Sequence, residues 1–233
     1  MNAIADQRTE LATDRTRLSR HPERGTHDFG TIAEILDEAL YCHIGVVVDG
    51  QPFVVPTSFG REGRKLYIHG SAASRMLGTL SEGVPMCLTA TLLDGLVIAR
   101  SVFRNSMNYR SVMIVGVAQE AAGDEKLHGL EVITEHIMPG RWADARLPTS
   151  QELKATTVLR LDIEEASAKV RRGPPADDEQ DYALSCWAGE LPFALSPQTA
   201  VPDARLASDT ALPAYVAAYR RPTGARVTKR GVL

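Results

Sequence analysis

The sequence predicts a mainly β protein with peripheral helices, built as a small antiparallel barrel. Three observations carry that prediction. Apolar residues recur at every second position in a series of short runs, which is the period of a half-buried strand. Turn dipeptides of hairpin type, Asp49-Gly50 and Asp94-Gly95, punctuate those runs. No GxGxxG follows a strand and no GxxxxGK[ST] occurs, which sets aside the dinucleotide-binding and P-loop α/β folds.

Taken in order, residues 1–27 are polar and arginine-rich and read as an N-terminal arm, mobile or draped. Residues 31–40 place Ile32, Ile35, Leu36, Ala39 and Leu40 on one helical face, with Thr31 and Glu34 spaced as a capping box. The period then changes to two. Residues 43–48 form a strand, Asp49-Gly50 a type I′ turn, and residues 51–59 the returning strand. Residues 60–64 read as a second polar turn, and residues 65–69 as a third strand that stops at Gly70 and feeds a helix over 72–80. Residues 84–93 and 96–102 read as a hairpin turning at Asp94-Gly95, followed by a loop over 103–109. The longest β-like run is 110–121, with Gly116 marking a bulge or a close backbone approach. Residues 125–138 form an amphipathic helix ended by Pro139-Gly140, and 141–150 a loop. Strands follow at 155–163 and 168–172, then an acidic surface loop over 173–181. Trp187 and Phe193 read as a buried aromatic pair. Residues 196–233 form a C-terminal extension, dotted with proline, with a short helix near 215–219 and a basic, loose end. That leaves residues 28–195 as the folded domain.

The stretch with the clearest chemistry is KLYIHGSAASRMLGTL, residues 65–80. A strand that stops at a glycine and enters a helix leaves backbone N–H groups without partners, at an end carrying partial positive charge. Ser71 and Ser74 add hydroxyls there, one of them placed to cap the helix, and Arg75 adds a guanidinium fork suited to phosphate oxygens. The combination reads as the phosphate end of a nucleotide or flavin site, although most such junctions bind nothing. Beside it, PFVVPTS places two prolines in one strand, so that strand is expected to be an edge or to open partway. Val55, Pro56, Thr57 and Ser58 then offer backbone and hydroxyl groups to a planar heteroaromatic ring, the alternative being an edge blunted against aggregation. His69, next to the phosphate end, is the one candidate acid, base or donor.

Composition narrows the function classes. With 44% hydrophobic and 24% charged residues in 233, the chain sustains a buried core and is not globally disordered. A net charge of −3 argues against a dedicated nucleic-acid binder. Cys42, Cys87 and Cys186 have neither CxxC nor Cys/His spacing, and His128 and His136 stand two turns apart on one helix, so no metal site is expected. The same cysteine usage fits a reduced, cytoplasmic protein. No apolar run approaches the roughly 20 residues of a membrane span, and no secretory signal is expected. There is no GxSxG, and no defensible Ser/His/Asp order.

The order of these motifs is recognisable. The segments YCHIGVVVDGQPFVVPTSFGREGRKLYIHGSAASRML, NSMNYRSVMIVGVA, PGRWADARLPTSQELKATTVLRLDIEEASAKVRRGPP and WAGELPF together resemble the flavin-nucleotide-binding branch of the pyridoxamine 5′-phosphate oxidase-like superfamily, which includes nitroimidazole-resistance reductases. The resemblance spans residues 15–195 and implies an FMN-binding split β-barrel working as a homodimer, with two flavin sites at the subunit interface. It implies that residues 55–58 face the isoalloxazine, that His69, Ser74 and Arg75 serve the ribityl phosphate, and that Asn108, Arg110 and Ser111 form a flavin- or interface-contacting element. It also implies that Trp187 approaches the flavin from the partner chain. FAD or a deazaflavin suits the same phosphate end. The expected activity is that of an FMN-dependent oxidoreductase acting with a small-molecule electron donor and acceptor. The alternatives are a non-catalytic flavin carrier or sensor, and a haem-binding split barrel. The chain ends RVTKRGVL, without the tryptophan- and arginine-bearing tail of true pyridoxamine phosphate oxidases, so vitamin B6 oxidation is not expected.

Overall fold

The computed structural model describes residues 11–221. The chain runs β1 (Gly25–Thr26), α1 (Phe29–Glu38), β2 (Tyr41–Val48), β3 (Gln51–Glu62), β4 (Lys65–Ser71), α2 (Arg75–Ser81), β5 (Pro85–Ile98), β6 (Ser106–Val117) and β7 (Gln119–Glu120). It continues through α3 (Gly123–Ile137), α4 (Arg141–Asp144), α5 (Ser150–Lys154), β8 (Thr156–Asp162), β9 (Glu165–Arg171), β10 (Gly189–Pro192) and α6 (Ala214–Ala217). The strands form one curled antiparallel sheet in the order β1-β9-β6-β5-β2-β3-β4-β8-β7, with β10 added to β5. The fold is mainly β with peripheral helices.

Alternation decides which side of each strand is interior. On β2, Cys42, Ile44 and Val46 are buried, and on β5 so are Met86, Leu88 and Ala90. These pack with Val112, Ile114, Ala166 and Ala168 and are closed off by Ile32, Ile35 and Leu36 of α1. Burial pushes the Cys42 thiol up to about 12, so it is an inert part of this core. A smaller cluster of Tyr67, Ala121, Ile133 and Val158 seats α3 on the far side of β4 and β8. The segment before β1 also packs: Leu11 and Thr16 are buried, Thr13 and Arg15 bind Glu165, and residues 1–10 lie outside the described part.

Several local readings are corrected. Helix α1 begins at Phe29, and its cap is Asp28, whose Oδ2 accepts from the Thr31 N–H and hydroxyl at 2.9 Å, in place of a Thr31/Glu34 box. Asp49 and Gly50 do adopt positive φ (51° and 75°), as a type I′ turn requires. Asp94-Gly95 is no turn: β5 runs straight through it with a bulge between Leu93 and Gly95, and β6 pairs along its whole length. Accordingly β6 starts at Ser106, inside the span read as a loop. Strand β3 continues to Glu62, leaving only Gly63 and Arg64 to turn. The span read as a loop over 141–150 contains α4, and α5 starts at Ser150 behind a Thr149/Glu152 capping box. Trp187 and Phe193 are 65% and 41% exposed, so the aromatic pair is not buried.

The C-terminal segment is tied back to α1 and α3. Arg221 donates to the carbonyls of Asp37, Glu38, Ala39 and His136 at 2.7–3.0 Å, satisfying orphan helix-end acceptors. His136 lies between the Phe59 ring (4.8 Å) and the Ala39 carbonyl (2.8 Å). Burial, reinforced by the Arg221 and Arg61 charges, holds its pKa below the ordinary value of 6.5. The unfolded chain therefore takes up this proton first. Stability is fully present above about pH 6.5 and declines as the pH falls toward the depressed folded value. Urea midpoints measured at pH 7.5 and 5.5 are expected to fall on acidification, and to fall less in His136→Gln. An equal fall in the variant would assign the effect to other groups. The basic terminus with Arg226, Lys229 and Arg230 lies outside the described residues.

Candidate functional site: a wedge where β3 and β4 part

Strand β3 changes partners halfway. Residues 51–58 pair with β2, from Val48↔Gln51 to Tyr41↔Ser58. Pairing with β4 begins only at Phe59↔Ile68 and runs to Glu62↔Lys65. One more step of that ladder would set Ser58 opposite His69, the next Thr57 opposite Gly70, and a third Pro56 opposite Ser71. None of those pairs forms, and the two strands diverge there. Proline explains part of the divergence. Pro52 and Pro56 lack the N–H that a second ladder on this strand would use. Beyond Ile68, β4 stays paired to β8 alone, through His69↔Val158, Gly70↔Thr157 and Ser71↔Thr156.

The wedge thus has a β3 wall of residues 55–58 and a β4 wall of His69–Ser71. At its far end β4 gives way to α2. Ser74 caps α2, accepting from the Leu77 N–H at 3.4 Å, so of the two serines read as candidate caps it is the one used. Strand β4 runs through Gly70 to Ser71, and Leu77 of α2 packs over Gly70, where a Cβ would meet Leu77 Cδ1 at 2.9 Å. Arg75 reaches back across the wedge and lays its guanidinium over the Phe53 ring, 5.0 Å from the centroid. Ser71 Oγ accepts from the Ala73 N–H at 3.2 Å. Hydroxyls, backbone amides and one guanidinium therefore converge at one end.

His69 carries the most telling single atom. Its Nδ1 is buried and has no hydrogen-bond partner. An unsatisfied buried polar atom costs about 1–3 kcal/mol, so such atoms are ordinarily paired. Burial lowers the pKa of His69, so the ring is neutral near pH 7 and offers one donor and one acceptor nitrogen. A ligand with polar atoms in the wedge would satisfy it, and the donor set fits the phosphate and ring edge of a flavin nucleotide.

The remaining sequence-predicted residues sit elsewhere in the chain. Asn108, Arg110 and Ser111 lie on β6, separated from β3 by β5 and β2. Arg110 points inward, 5% exposed, and is gripped by Asp94 (2.7 and 2.8 Å) and Glu38 (2.5 and 3.1 Å). Asn108 is buried and bridges Glu190 of β10 to Arg171. Ser111 Oγ donates to the Lys169 carbonyl at 3.3 Å. Trp187 stands on the surface before β10. Sequence reasoning did not single out Phe53 as the platform for Arg75, nor Tyr41 and His43, which meet edge-on at 5.6 Å on the strand beside the wedge. Their signal was only positional: an aromatic or imidazole group on β2 opposite the proline strand. An open cleft of about 540 Å³ at the other end of β4 is lined by Glu62, Arg64, Lys65, Asp162 and Glu164. It is a gap between two charged turns, remote from the wedge. Among the described residues no group of three or more His, Cys, Asp or Glu side chains is placed to hold a metal ion, and no helix is long and apolar enough to cross a membrane.

The family model described as pyridoxamine 5′-phosphate oxidase matches residues 28–170, which takes in the whole wedge. The chain belongs to that family. Among solved structures it is similar to the flavocytochrome Anf3 from Azotobacter vinelandii, with 40% identity and a TM-score of 0.85 over 90% of this chain and 98% of that one. It is also similar to the FAD and haem binding protein from Mycobacterium smegmatis, with 36% identity and a TM-score of 0.81 over 83% and 96% of the two chains. A protein assigned to 5-nitroimidazole antibiotic resistance from Bacteroides thetaiotaomicron shares 25% identity and a TM-score of 0.54 over 63% and 86%. No curated protein matches the chain. The first of these proteins is a flavocytochrome, and the second binds FAD and haem.

Proposed function

We propose that the chain is a flavin-binding redox protein whose cofactor occupies the wedge between β3 and β4. The observation that carries the proposal is His69 Nδ1, buried and unpartnered on the β4 wall just past Phe59↔Ile68, where the ladder lapses. In this reading Ser71, Ser74 and Arg75 hold the phosphate end. Residues 55–58 line the ring's polar edge, and His69 holds a proton or accepts one at Nδ1 next to it. Asn108 and Arg110 are committed to partners inside their own chain and take no cofactor role in this reading, while Ser111 and Trp187 act from β6 and the segment before β10, at the meeting of two subunits. Bound flavin would supply hydride and single-electron transfer; the protein's part is binding, orientation and exclusion of water. FMN needs only the single phosphate end described, and the likeness to an FAD and haem binding protein supports FAD as well. The reading is of a homodimer in the reducing cytoplasm, which the free thiols Cys42, Cys87 and Cys186 fit. It exchanges electrons between small molecules and binds neither nucleic acid nor membrane.

The test is to purify the protein and titrate it with FMN and FAD. Binding near 1:1 per chain is expected; no uptake of either at micromolar levels would overturn the proposal. Arg75→Ala is expected to weaken flavin binding by about 2 kcal/mol, close to thirtyfold, because a charge-assisted contact is lost. Its unfolding midpoint without cofactor should stay within about 0.5 kcal/mol of wild type. Unchanged affinity would move the phosphate away from α2.

A second reading adds haem. It is favoured by the likeness to a flavocytochrome and to an FAD and haem binding protein, over 90% and 83% of this chain. Haem titration followed at the Soret band tests it directly. Carrier or sensor roles separate from catalysis by whether bound flavin turns over with a nicotinamide donor and a quinone or nitroaromatic acceptor.

A further inference from the structure

Two apolar features of this chain are left uncovered by the chain itself. The first is the outer face of the sheet. Register places Tyr41 and Val47 of β2, Val54 of β3, Met107 and Val117 of β6 and Leu191 of β10 on the side opposite the core. Their exposures run from 48% to 68%. The second is the strap after β10. Every residue from 193 to 212 is exposed, and among them are Phe193, Leu195, Val201, Leu206 and Leu212.

The strap is pinned at both ends to its own body. At one end β10 pairs with β5, and the Phe193 N–H bonds the Asp94 carbonyl at 2.9 Å. At the other, the Tyr215 hydroxyl donates to Asp144 (2.6 Å), the Tyr219 hydroxyl to the Ile137 carbonyl (2.9 Å), and Arg221 to four carbonyls. Between those anchors the backbone bonds are local, such as Leu206 N–H to Asp203 and Thr210 N–H to Ala207. Pro197 and Pro202 keep the path extended. Fixing a residue's backbone costs about 1–2 kcal/mol, and here no burial on the parent chain offsets it. Neither does the strap cover its own sheet face, because that face is exposed too.

We infer that the strap, residues 194–212, lies on a second copy of this chain and buries its leucines and valine against that copy's outer sheet face. Each copy carries both a strap and a face, so one two-fold operation satisfies all four features at once. An apolar strap and an apolar face of this extent are what a partner covers. The inference rests on the homodimer reading above and goes beyond it by naming the element that crosses.

The experiment uses the full chain. Wild type is expected to be a dimer by light scattering. Leu195→Asp, Val201→Asp and Leu206→Asp together are expected to weaken dimerisation more than about 100-fold, since each places a charge where an aliphatic side chain is buried against the other copy. The circular-dichroism spectrum of the protomer should not change, because these side chains are already exposed. A photo-crosslinking amino acid in place of Val201 is expected to give covalent dimers whose linked peptides include residues 41–56 of the other copy. A dimer of unchanged affinity in the triple variant, or crosslinks formed only within one chain, would overturn the strap while leaving the homodimer standing. A monomeric wild type would overturn both. Flavin absorbance of the same samples reports separately on the cofactor.

Discussion

Replacing Arg110 with alanine is expected to destabilise the fold by about 3–5 kcal/mol, the range seen when one member of a buried ion cluster is removed. The guanidinium side chain is 6% exposed and its partners Glu38 and Asp94 are 11% and 30% exposed. Two carboxylates at 2.5–3.1 Å from one guanidinium hold its pKa well above the ordinary value, chiefly through the Asp94 hydrogen bonds. Without Arg110 those carboxylates face each other with no cation between them. Like charges in partial burial raise carboxylate pKa values, so the variant's folded state would bind protons more readily than its unfolded state. Its deficit should therefore shrink as the pH is lowered from 7 toward about 4.5, opposite in sign to the His136 effect. Arg110→Lys keeps the charge but not the fork and should fall between the two. A urea-derived loss under about 1 kcal/mol at pH 7, or a loss that does not vary with pH, would show that the triad is not what holds α1 to the sheet.

That triad also shows where sequence reasoning stops. The strands, the Asp49-Gly50 turn and the capping role of Ser74 were legible because each is set by neighbours within a few residues. Asp94-Gly95 carries the same local signal as Asp49-Gly50 and means something else. Asp94 is fixed by Arg110 on the adjacent strand, and Gly95 is required by a close approach: a Cβ there would stand 2.6 Å from the Leu191 carbonyl of β10. Both causes lie far along the chain, 16 and 96 residues away, beyond any periodicity argument. Arg110 itself was a flavin- or interface-contacting candidate only through the family resemblance. Only the register Leu92↔Arg110 shows that it points inward.

The candidate site divides along the same line. Residues 55–58, His69, Ser71, Ser74 and Arg75 were readable as a pair of neighbouring segments, and they stand on the two sides of the gap where the β3–β4 ladder lapses. The prolines on β3 are visible in the sequence, but Gly70 does not end β4 as its position suggested: the strand stays paired to β8 through Ser71, and the helix read over 72–80 starts only at Arg75. What was not visible is that Phe53 lies under Arg75, because a cation–π contact between a strand and a helix leaves no spacing pattern. The exposure of Trp187 was also illegible, because a surface tryptophan and a core tryptophan look alike in composition.

Gly60→Ala is expected to cost about 3 kcal/mol, at the upper end of what overpacking imposes. Gly60 is buried in β3, paired with Tyr67, where α3 crosses the sheet. A methyl group there would sit 2.6 Å from the Val132 carbonyl oxygen and 2.7 Å from the backbone N and Cα of Ile133. Those are main-chain atoms of a 15-residue helix, so no rotamer change makes room and the helix must move as a body. Its displacement would pull His136 from the Phe59 ring and from the Ala39 carbonyl, and would open the carbonyl set that Arg221 fills. Gly129→Ala provides the control. Its Cβ would also come within 2.9 Å of other atoms, but those are side-chain atoms of Tyr67 and Val158 and not main chain. The Gly129 variant should therefore lose clearly less than the Gly60 variant. Equal losses in urea unfolding would mean that the helix yields as easily as a side chain and that its seat on β3 is not the rigid contact described. In the Gly60 variant alone, the acid-dependent part of stability assigned to His136 should also diminish, because a ring released from burial regains its ordinary proton affinity in the folded state.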